Sequence, residues 1–322
     1  MSLNTVIQTR RFTIPSDTPD IALHVRNKRA AGRADFGEAD TVVLMHGATY
    51  GSGSLYDTAI AGASFMDHLA RAGFDVYAVD VRGYGESTRP QQMQLPAARS
   101  APLGRTESGI RDFAAAVNFV LRTSGIARVN LIGMSWGGSV AGAFTARNGH
   151  KVRKLGLIAP QWVSDQPIPL DAGGALGGYR VVRAADARER WVGAAPQGKR
   201  DTLIPEGGFE AWLENTVRTE PDAALRAARS IRAPNGPVQD IREFWAAGKP
   251  FYDPGEIDVP VLLIHGEWDI DVPLALARDY FAHLRGAPQK RWLEIGEATH
   301  MLMLEKNREL AYNALAGFLR EA

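Results

Sequence analysis

One serine in this 322-residue chain stands in a pattern that prepares a hydroxyl for nucleophilic attack. Ser135 lies at the centre of the pentapeptide GMSWG, residues 133–137, which has the form G-x-S-x-G. A strand-like stretch, 128–132, precedes it and a helix-like stretch, 136–148, follows, so the pattern predicts a sharp strand-to-helix turn with the serine at its tip. Glycines flank the serine because a side chain there would collide with the neighbouring helix or strand. We predict that Ser135 is a nucleophile at a helix N-terminus, where free N–H groups favour negative charge.

A second segment, DVRGYGES at residues 80–87, resembles the D-x-R-G-x-G-x-S turn that follows the fourth strand in the α/β-hydrolase superfamily. Together with the setting of Ser135, it makes the sequence similar to that superfamily over nearly the whole chain outside an inserted segment. The resemblance implies an α/β fold with a mostly parallel, eight-stranded type of sheet flanked by helices, and an inserted helical cap. We interpret Asp80 and Arg82 as structural residues that fix a loop near the site.

The general base is expected near the end of the chain, because the family order is serine, acid and then histidine. Of seven histidines, only His283 and His300 follow the cap region and the expected acid. His283 falls inside a predicted surface helix and is interpreted as structural. His300 closes the segment GEATH, residues 296–300, which resembles the family's base loop between the last strand and the last helix. We predict that His300 takes the proton of the serine.

The acid is expected after the seventh strand, in the segment HGEWDIDVP at residues 265–273. This segment resembles the family's G-x-x-D loop and places Asp269 in the acid position. Its carboxylate would accept the second imidazole N–H, fix the tautomer and stabilise the imidazolium. Asp271 is an alternative acid, and its other interpretation is a cap for the helix predicted to start near residue 273. Glu267 is a weaker alternative.

Two aimed N–H donors are needed to stabilise the tetrahedral intermediate of acyl transfer. The backbone N–H of Trp136, directly after the nucleophile, is the first. The resemblance places the second on Ala48, which follows the pair His46 and Gly47 after a predicted strand. We interpret His46 as structural. The glycine-rich loop 47–53 lets the backbone approach a substrate, and it lacks both the lysine of a P-loop and the spacing of a dinucleotide fingerprint.

Alternating strand and helix patterns carry these residues. Short apolar runs bounded by turn residues are typical of strands buried on both faces of a parallel sheet, and the strand–helix order predicts right-handed crossovers. The predicted strands are 41–45, 74–79, 129–133, 152–159, 259–265 and 291–295, with an opening antiparallel hairpin at 10–14 and 21–25. The predicted helices are 56–72, 107–123, 136–148, 273–284 and 302–320.

The strand signal disappears after residue 160, and helical patches at 208–219 and 222–231 take its place. Four of the seven tryptophans fall in this segment, and they have two interpretations: walls of an apolar acyl or alcohol pocket, or ordinary core packing. The four are Trp162, Trp191, Trp212 and Trp245. The predicted domains are a first part of the core at 1–160, a helical cap at 161–250 and a second part of the core at 251–322.

The amino-acid composition argues against several classes of binding partner. With 37 basic and 36 acidic residues the formal net charge is +1, so no electrostatic feature favours nucleic acid or a membrane surface. The basic stretch 26–33 is interpreted as a solvated loop. The chain has no cysteine, which excludes disulfides, a thiol nucleophile and cysteine-based metal sites. We predict no cofactor and no metal. Without a signal-peptide pattern or an apolar run of about 18 residues, a cytoplasmic protein that acts on a small molecule is expected.

Ser135 excludes the relatives that use an aspartate nucleophile, namely epoxide hydrolases and haloalkane dehalogenases. We predict cleavage of a small carboxylic ester, thioester or lactone through an acyl-enzyme. One alternative is an amide hydrolase of the proline iminopeptidase type, which shares S-W-G at the elbow, although residues 46–50 read HGATY where that family has HGGPG. The other alternative is a lyase or a ligand-binding protein that kept the fold.

Overall fold

The core of the protein is one eight-stranded sheet, described here in a computed structural model over residues 5–164 and 168–321. Its strands are β1 (Ile7–Pro15), β2 (Ala22–Ala30), β3 (Thr41–Met45), β4 (Asp75–Asp80), β5 (Val129–Met134), β6 (Val152–Ile158), β9 (Val261–Gly266) and β10 (Lys290–Ile295). The remaining strands, β7 (Tyr179–Arg183) and β8 (Ser230–Pro234), pair with each other. The spatial order is β1-β2-β4-β3-β5-β6-β9-β10, antiparallel from β1 to β4 and parallel from β4 onwards.

Helices cover both faces of this sheet. The helices are α1 (Ser52–Tyr56), α2 (Phe65–Arg71), α3 (Thr106–Ser124), α4 (Trp136–Asn148), α5 (Ala184–Gly193), α6 (Arg200–Leu203), α7 (Gly208–Val217), α8 (Ala223–Ala227), α9 (Gly236–Glu243), α10 (Leu274–His283) and α11 (Arg308–Arg320). Residues of α3, α4 and α10 join one apolar cluster, and residues of α1, α2 and α11 join the other. Strand β3 supplies Val43 and Met45 to the first cluster and Val42 and Leu44 to the second, because successive side chains point to opposite faces.

The α/β-hydrolase architecture predicted from the sequence is confirmed, with its strands and helices mostly in the expected places. Two helices differ in their bounds. The helix predicted at 56–72 is two helices, since Ser64 and Asp67 form a capping box that starts α2 afresh. The final helix begins at Arg308 instead of residue 302, because a short 3-10 turn occupies Leu302–Leu304.

The basic stretch at 26–33 is not a solvated loop, so that interpretation was wrong. Strand β2 runs to Ala30 and places Arg26 in the interior, where its guanidinium bonds Asp57 at 3.2 Å and Glu86 at 3.0 Å. Lys28 on the same strand bonds Asp67 at 2.7 Å. The carboxylates lie far away in the chain, so they leave no trace in a local charge pattern.

The segment between β6 and β9 contains a two-stranded sheet as well as helices. The antiparallel pair β7 and β8 was not predicted, and β8 overlaps the helix expected at 222–231, of which only α8 forms. A third apolar cluster holds this region together and includes Trp191, Leu203 and Trp212. The division into 1–160, 161–250 and 251–322 stays a prediction. Within the described residues, no helix is long and apolar enough to cross a membrane.

A buried ion pair fixes the loop that follows β4. The Nε and Nη2 atoms of Arg82 donate to the two carboxylate oxygens of Asp112 at 2.8 and 2.6 Å, and the two side chains are 10% and 0% exposed. The hydrogen bonds and charge of Asp112 raise the pKa of Arg82 above its ordinary value despite burial. Asp80, at the end of β4, accepts the backbone N–H of Ser52 at 2.7 Å and that of Glu86 at 3.0 Å. Both contacts support the structural interpretation of Asp80 and Arg82.

Removal of the Asp112 carboxylate should therefore destabilise the fold strongly. We expect Asp112→Ala to lower the free energy of unfolding by about 3–5 kcal/mol. The buried guanidinium of Arg82 would lose both short hydrogen bonds to Asp112 and keep as counter-charge, among the described residues, only the exposed carboxylate of Asp17 at 3.4 Å. Glu107→Ala is the matched control, since Glu107 pairs with Arg147 in a bridge whose side chains are 51% and 44% exposed, and it should cost at most about 1 kcal/mol. Urea unfolding followed by circular dichroism measures both. Equal losses in the free energy of unfolding would show that the buried pair of Arg82 and Asp112 stabilises the fold no more than an exposed ion pair.

Candidate active site

Ser135 sits at the tip of a tight turn between β5 and α4. Its backbone has φ 58° and ψ −127°, a conformation that costs energy for any residue with a side chain. Main-chain hydrogen bonds hold it there: the Ser135 N–H donates to the carbonyl of Ile158 at 2.8 Å, and the Ser135 carbonyl accepts from Gly138 at 2.8 Å. The strain is thus balanced by the sheet on one side and by the first turn of α4 on the other.

The glycines around Ser135 are required by close backbone contacts. A Cβ atom on Gly133 would stand 2.3 Å from the carbonyl oxygen of Gly137. A Cβ atom on Gly137 would stand 2.2 Å from the carbonyl oxygen of His46. No real Cβ atom tolerates such distances to backbone, so β5, α4 and the end of β3 can approach one another only with glycine at both positions.

His300 and Asp269 form a hydrogen-bonded pair. His300 Nδ1 lies 2.7 Å from Asp269 Oδ2, while Asp269 Oδ1 accepts the backbone N–H groups of Asp271 at 2.9 Å and Val272 at 2.8 Å. Burial alone would lower the pKa of His300, but the charge and hydrogen bond of Asp269 outweigh it and raise that pKa above the ordinary 6.5. Burial would raise the pKa of Asp269, yet the charge and hydrogen bond of His300 hold it below its ordinary value.

The two alternative acids have other partners. Asp271 accepts from the guanidinium of Arg190, on helix α5 of the predicted cap, at 2.5 Å. It does not cap α10, which begins after Pro273 without a side-chain cap. Glu267 accepts the backbone N–H of Glu297 at 2.8 Å. The structure therefore brings Asp269 to the imidazole and directs Asp271 towards the cap.

The loop after β3 lies against the nucleophile. A Cβ atom on Gly47 would be 3.5 Å from Ser135 Cβ and 3.9 Å from Ser135 Oγ, so the start of this loop runs alongside the hydroxyl. The Ala48 carbonyl is fixed by two donors, the hydroxyl of Tyr84 at 2.9 Å and Arg180 Nη2 at 3.0 Å. On the other side, Trp136 is the first residue of α4. The arrangement places both predicted donor residues beside the serine.

Ser135, His300, Ala48 and Asp271 open onto one pocket, which is also lined by residues of the segment between β6 and β9, the predicted cap. Its other walls are mainly apolar, which suits an apolar group of a small molecule. The apolar lining residues are Leu55, Met134, Ile168, Leu170, Ala187, Trp191, Ala194, Trp212, Ile270 and Met301. Two of the four tryptophans thus line the pocket, whereas Trp245 is buried in the core and Trp162 packs on Tyr280 and donates to Asp279 at 2.6 Å.

Sequence analysis missed two polar residues that support the site loops, Arg180 and Glu305. Glu305 is buried, accepts the backbone N–H of Thr299 at 2.8 Å and accepts the indole N–H of Trp191 at 2.9 Å. Burial raises the pKa of Glu305 to about 7. The Glu305 carboxylate thereby connects Thr299, the residue before His300, to Trp191 in the pocket wall. No local pattern marks either residue, because the contacts that connect them to the site loops and the pocket wall, Arg180 with Ala48 and Glu305 with Trp191, join positions distant in the chain.

Comparison with known proteins identifies the family of this chain. The protein family described as "alpha/beta hydrolase fold" matches residues 40–307. The chain belongs to the α/β hydrolases. Among curated proteins, this hydrolase is 31% identical over 275 residues to a 2-hydroxy-6-oxononadienedioate/2-hydroxy-6-oxononatrienedioate hydrolase of Cupriavidus pinatubonensis (strain JMP 134 / LMG 1197), with 83% of this chain and 81% of the relative covered.

Solved structures share the fold at lower sequence identity. One is the 2-hydroxy-6-oxo-6-phenylhexa-2,4-dienoate hydrolase from Rhodococcus sp. strain RHA1, with a TM-score of 0.64, 17% identity, and 97% of this hydrolase and 99% of that chain covered. Another is a thermophilic esterase from Thermogutta terrifontis, with a TM-score of 0.61, 19% identity, and 97% and 98% covered. At such identities the likeness concerns the fold alone.

The close contact at Gly137 gives a stability prediction. Gly137→Ala should prevent folding or abolish soluble expression, because its new methyl group would overlap the His46 carbonyl. The matched control is Gly193→Ala in α5, where a Cβ atom would meet nothing within 4 Å. That change should leave stability equal or raise it by up to about 1 kcal/mol, since alanine favours a helix over glycine. Thermal unfolding of both variants checks this, and a well-folded Gly137→Ala protein would contradict the packing argument.

Proposed function

We propose that this hydrolase cleaves a small carboxylic ester, thioester or lactone through an acyl-enzyme on Ser135. One observation carries the proposal: a histidine hydrogen-bonded to a buried carboxylate at 2.7 Å shares a pocket with a serine held at a strained turn. A buried carboxylate that accepts from Nδ1 leaves Nε2 of His300 as the basic nitrogen, which is the tautomer that a serine nucleophile needs.

In the proposed reaction, His300 takes the proton of Ser135 Oγ as that oxygen attacks the substrate carbonyl. The oxygen of the tetrahedral intermediate becomes negative and is stabilised by the backbone N–H groups of Trp136 and Ala48. Collapse of the intermediate breaks the bond to the alcohol, which leaves with the proton from His300. Water then repeats the sequence on the acyl-enzyme, and the carboxylic acid departs. Asp269 orients the imidazole and stabilises its charged form throughout.

The pocket lining supports an ester with apolar parts. Among the described residues that line it, Arg190 is the one arginine or lysine, and Asp271 already matches its charge. A substrate with two free carboxylates would need cationic partners that this lining does not offer. The apolar walls instead match a hydrocarbon acyl or alcohol group.

Hydrolysis of a carbon–carbon bond is a second candidate. The curated relative from Cupriavidus pinatubonensis is named as a hydrolase of a 2-hydroxy-6-oxo-dienedioate, a ketone that water can cleave at a carbon–carbon bond. In that reaction water would divide a ketone into a carboxylic acid and a second product that gains the hydrogen. The same serine, histidine and donors would serve it. The match of 31% identity over most of both chains favours this candidate, whereas the pocket charges favour the ester.

A labelling and turnover experiment tests the proposal. A fluorophosphonate probe should label the wild type and not Ser135→Ala, which should unfold at the same urea concentration as wild type and lose at least about 10⁴-fold in kcat. Turnover of p-nitrophenyl esters of increasing chain length is then compared with a 2-hydroxy-6-oxo-dienoate and with proline p-nitroanilide. The ester kcat/KM should be the highest. A higher value for the dienoate supports carbon–carbon hydrolysis, and a higher value for the anilide supports an amidase. Absence of labelling would support a lyase or a binding protein.

The pH profile tests the roles of His300 and Asp269. Because only neutral imidazole can accept the serine proton, kcat/KM should fall as the pH drops through the raised pKa of His300, with a midpoint above 6.5. Asp269→Asn removes the charge that raises this pKa, so the midpoint should move to lower pH, with a loss of about 10⁴-fold in kcat.

Asp271→Asn is the matched control for this profile, since Asp271 bonds Arg190 and not His300. Its midpoint should also move to lower pH, because the charge of Asp271 contributes to the raised pKa of His300, but by less than in Asp269→Asn, and its loss in kcat should be far smaller. If the severe loss and the larger shift instead belonged to Asp271→Asn, then Asp271 would be the acid and the proposed assignment of Asp269 would be wrong.

A further inference from the structure

Arg180 connects the loop that carries Ala48 to the two-stranded sheet, and it is not one of the described residues that line the pocket. Its Nη2 atom donates to the Ala48 carbonyl at 3.0 Å and to the hydroxyl of Thr49 at 2.8 Å. Its Nη1 atom donates to the carbonyl of Pro234 at 2.7 Å and to Oδ1 of Asn235 at 3.3 Å. One planar guanidinium thus holds the loop after β3 and the end of β8 at a fixed separation.

The far end of this connection is itself fixed. Asn235 is 4% exposed, its side-chain amide donates to the Gly177 carbonyl at 3.0 Å, and its backbone N–H donates to the Gly178 carbonyl at 3.1 Å. Arg180 pairs with Ala233 in the antiparallel sheet of β7 and β8. The guanidinium therefore projects from two paired strands, and it can impose a position on the loop that it bonds.

Arg180 carries a charge that no carboxylate among the described residues matches at ion-pair distance. Its acceptors are two carbonyls, a hydroxyl and a carboxamide, whereas Arg26 and Arg82 in the interior pair with carboxylates. Burial lowers the pKa of Arg180 below its ordinary value, yet an arginine side chain stays charged in proteins. Its bonds to Ala48 and Thr49 are therefore charge-assisted, which makes them roughly twice as strong as bonds between neutral groups.

The bond to the Ala48 carbonyl fixes one of the two peptide groups that meet at Ala48. This carbonyl also accepts the hydroxyl of Tyr84 at 2.9 Å. The preceding peptide group is held through the Gly47 carbonyl, which lies 2.8 Å from His46 Nδ1. Because peptide groups are planar, holding both of them sets the direction of the Ala48 N–H, the proposed oxyanion donor. A donor that is aimed in advance costs no reorganisation when negative charge develops in the transition state.

We propose that Arg180 is a positioning residue for the reaction, because it clamps the loop after β3 to β8 and so aims the Ala48 N–H at the oxygen that becomes negative. Arg180 acts through the Ala48 peptide and not by contact with the substrate. Its loss should therefore weaken binding of the tetrahedral intermediate and leave binding of the unreacted ester almost unchanged. This inference rests on the proposed function, since it takes Ser135 as the nucleophile and Ala48 as a donor.

Two inhibitors of similar size separate such positioning from simple support of the fold. Hexylboronic acid adds to Ser135 Oγ as an anionic tetrahedral adduct with an oxygen in the place of the oxyanion, whereas 1-hexanol fills the pocket without a covalent bond. Both inhibition constants, and kcat for p-nitrophenyl hexanoate, are measured in wild type, Arg180→Met and the control Arg183→Met. Arg183 lies on the same strand, has a side chain that is 71% exposed, and pairs with Asp186.

Arg180→Met should lose at least about tenfold in kcat and in affinity for the boronic acid, up to the roughly 10²–10³-fold cost of a lost oxyanion donor. Its affinity for 1-hexanol should stay within about twofold of wild type, because that ligand develops no negative oxygen. Arg183→Met should resemble wild type in all three measurements. If Arg180→Met does not fold, Arg180→Lys takes its place in the same comparison, because one ammonium group cannot serve both anchor points.

Failure of this inference and failure of the proposed function are distinguishable. Suppose that Ser135 is labelled by the fluorophosphonate but the Arg180 variant behaves like Arg183→Met, or loses affinity for both inhibitors equally. Arg180 would then not position the donor, while the proposed hydrolysis would stand. Absence of labelling and of ester turnover in the wild type would remove the proposed function and the inference with it.

Discussion

Close packing of three backbone segments around Ser135 is the constraint on which the rest of the structure depends. The end of β3, the end of β5 and the first turn of α4 approach so closely that Gly133 and Gly137 leave no room for a Cβ atom. This contact forces Ser135 into a left-handed backbone conformation, and the hydrogen bond from its N–H to Ile158 anchors the strained turn to β6. The sheet order follows the same need, since β3, β5 and β6 must be neighbours for the turn to form.

The loops around the nucleophile are held from two sides. On the core side, the pair of Arg82 and Asp112 fixes the loop after β4, and Tyr84 from that loop donates to the Ala48 carbonyl. From the segment between β6 and β9, Arg180 bonds the same carbonyl, while Glu305 connects Trp191 of that segment to the residue before His300. Packing of this segment therefore contributes to the geometry of the loops that carry Ala48 and His300 as well as to the pocket walls.

The pocket combines a few charged side chains with mainly apolar walls. The charged groups are paired, Asp269 with His300 and Arg190 with Asp271, and the charges of the second pair also act on the pKa of His300, in opposite directions. The other walls of the pocket are mainly apolar. An ester hydrolase and a carbon–carbon hydrolase can share the charged groups, and they differ in the substrate group that these walls must accommodate.

The sequence by itself determined the fold and the elbow, because glycine spacing, alternating apolar runs and turn residues are local signals with a direct steric cause. It also indicated His300 and Asp269, since both stand in loops after strands, but it left Asp271 open as the acid. The tertiary structure shows that Asp269 contacts the imidazole of His300 and that Asp271 contacts Arg190, which supports Asp269 as the proposed acid. The strands β7 and β8 and the buried position of Arg26 were likewise decided by distant contacts. Partners far apart in the chain leave no periodic pattern, and so the walls of the pocket could be identified only in the folded chain.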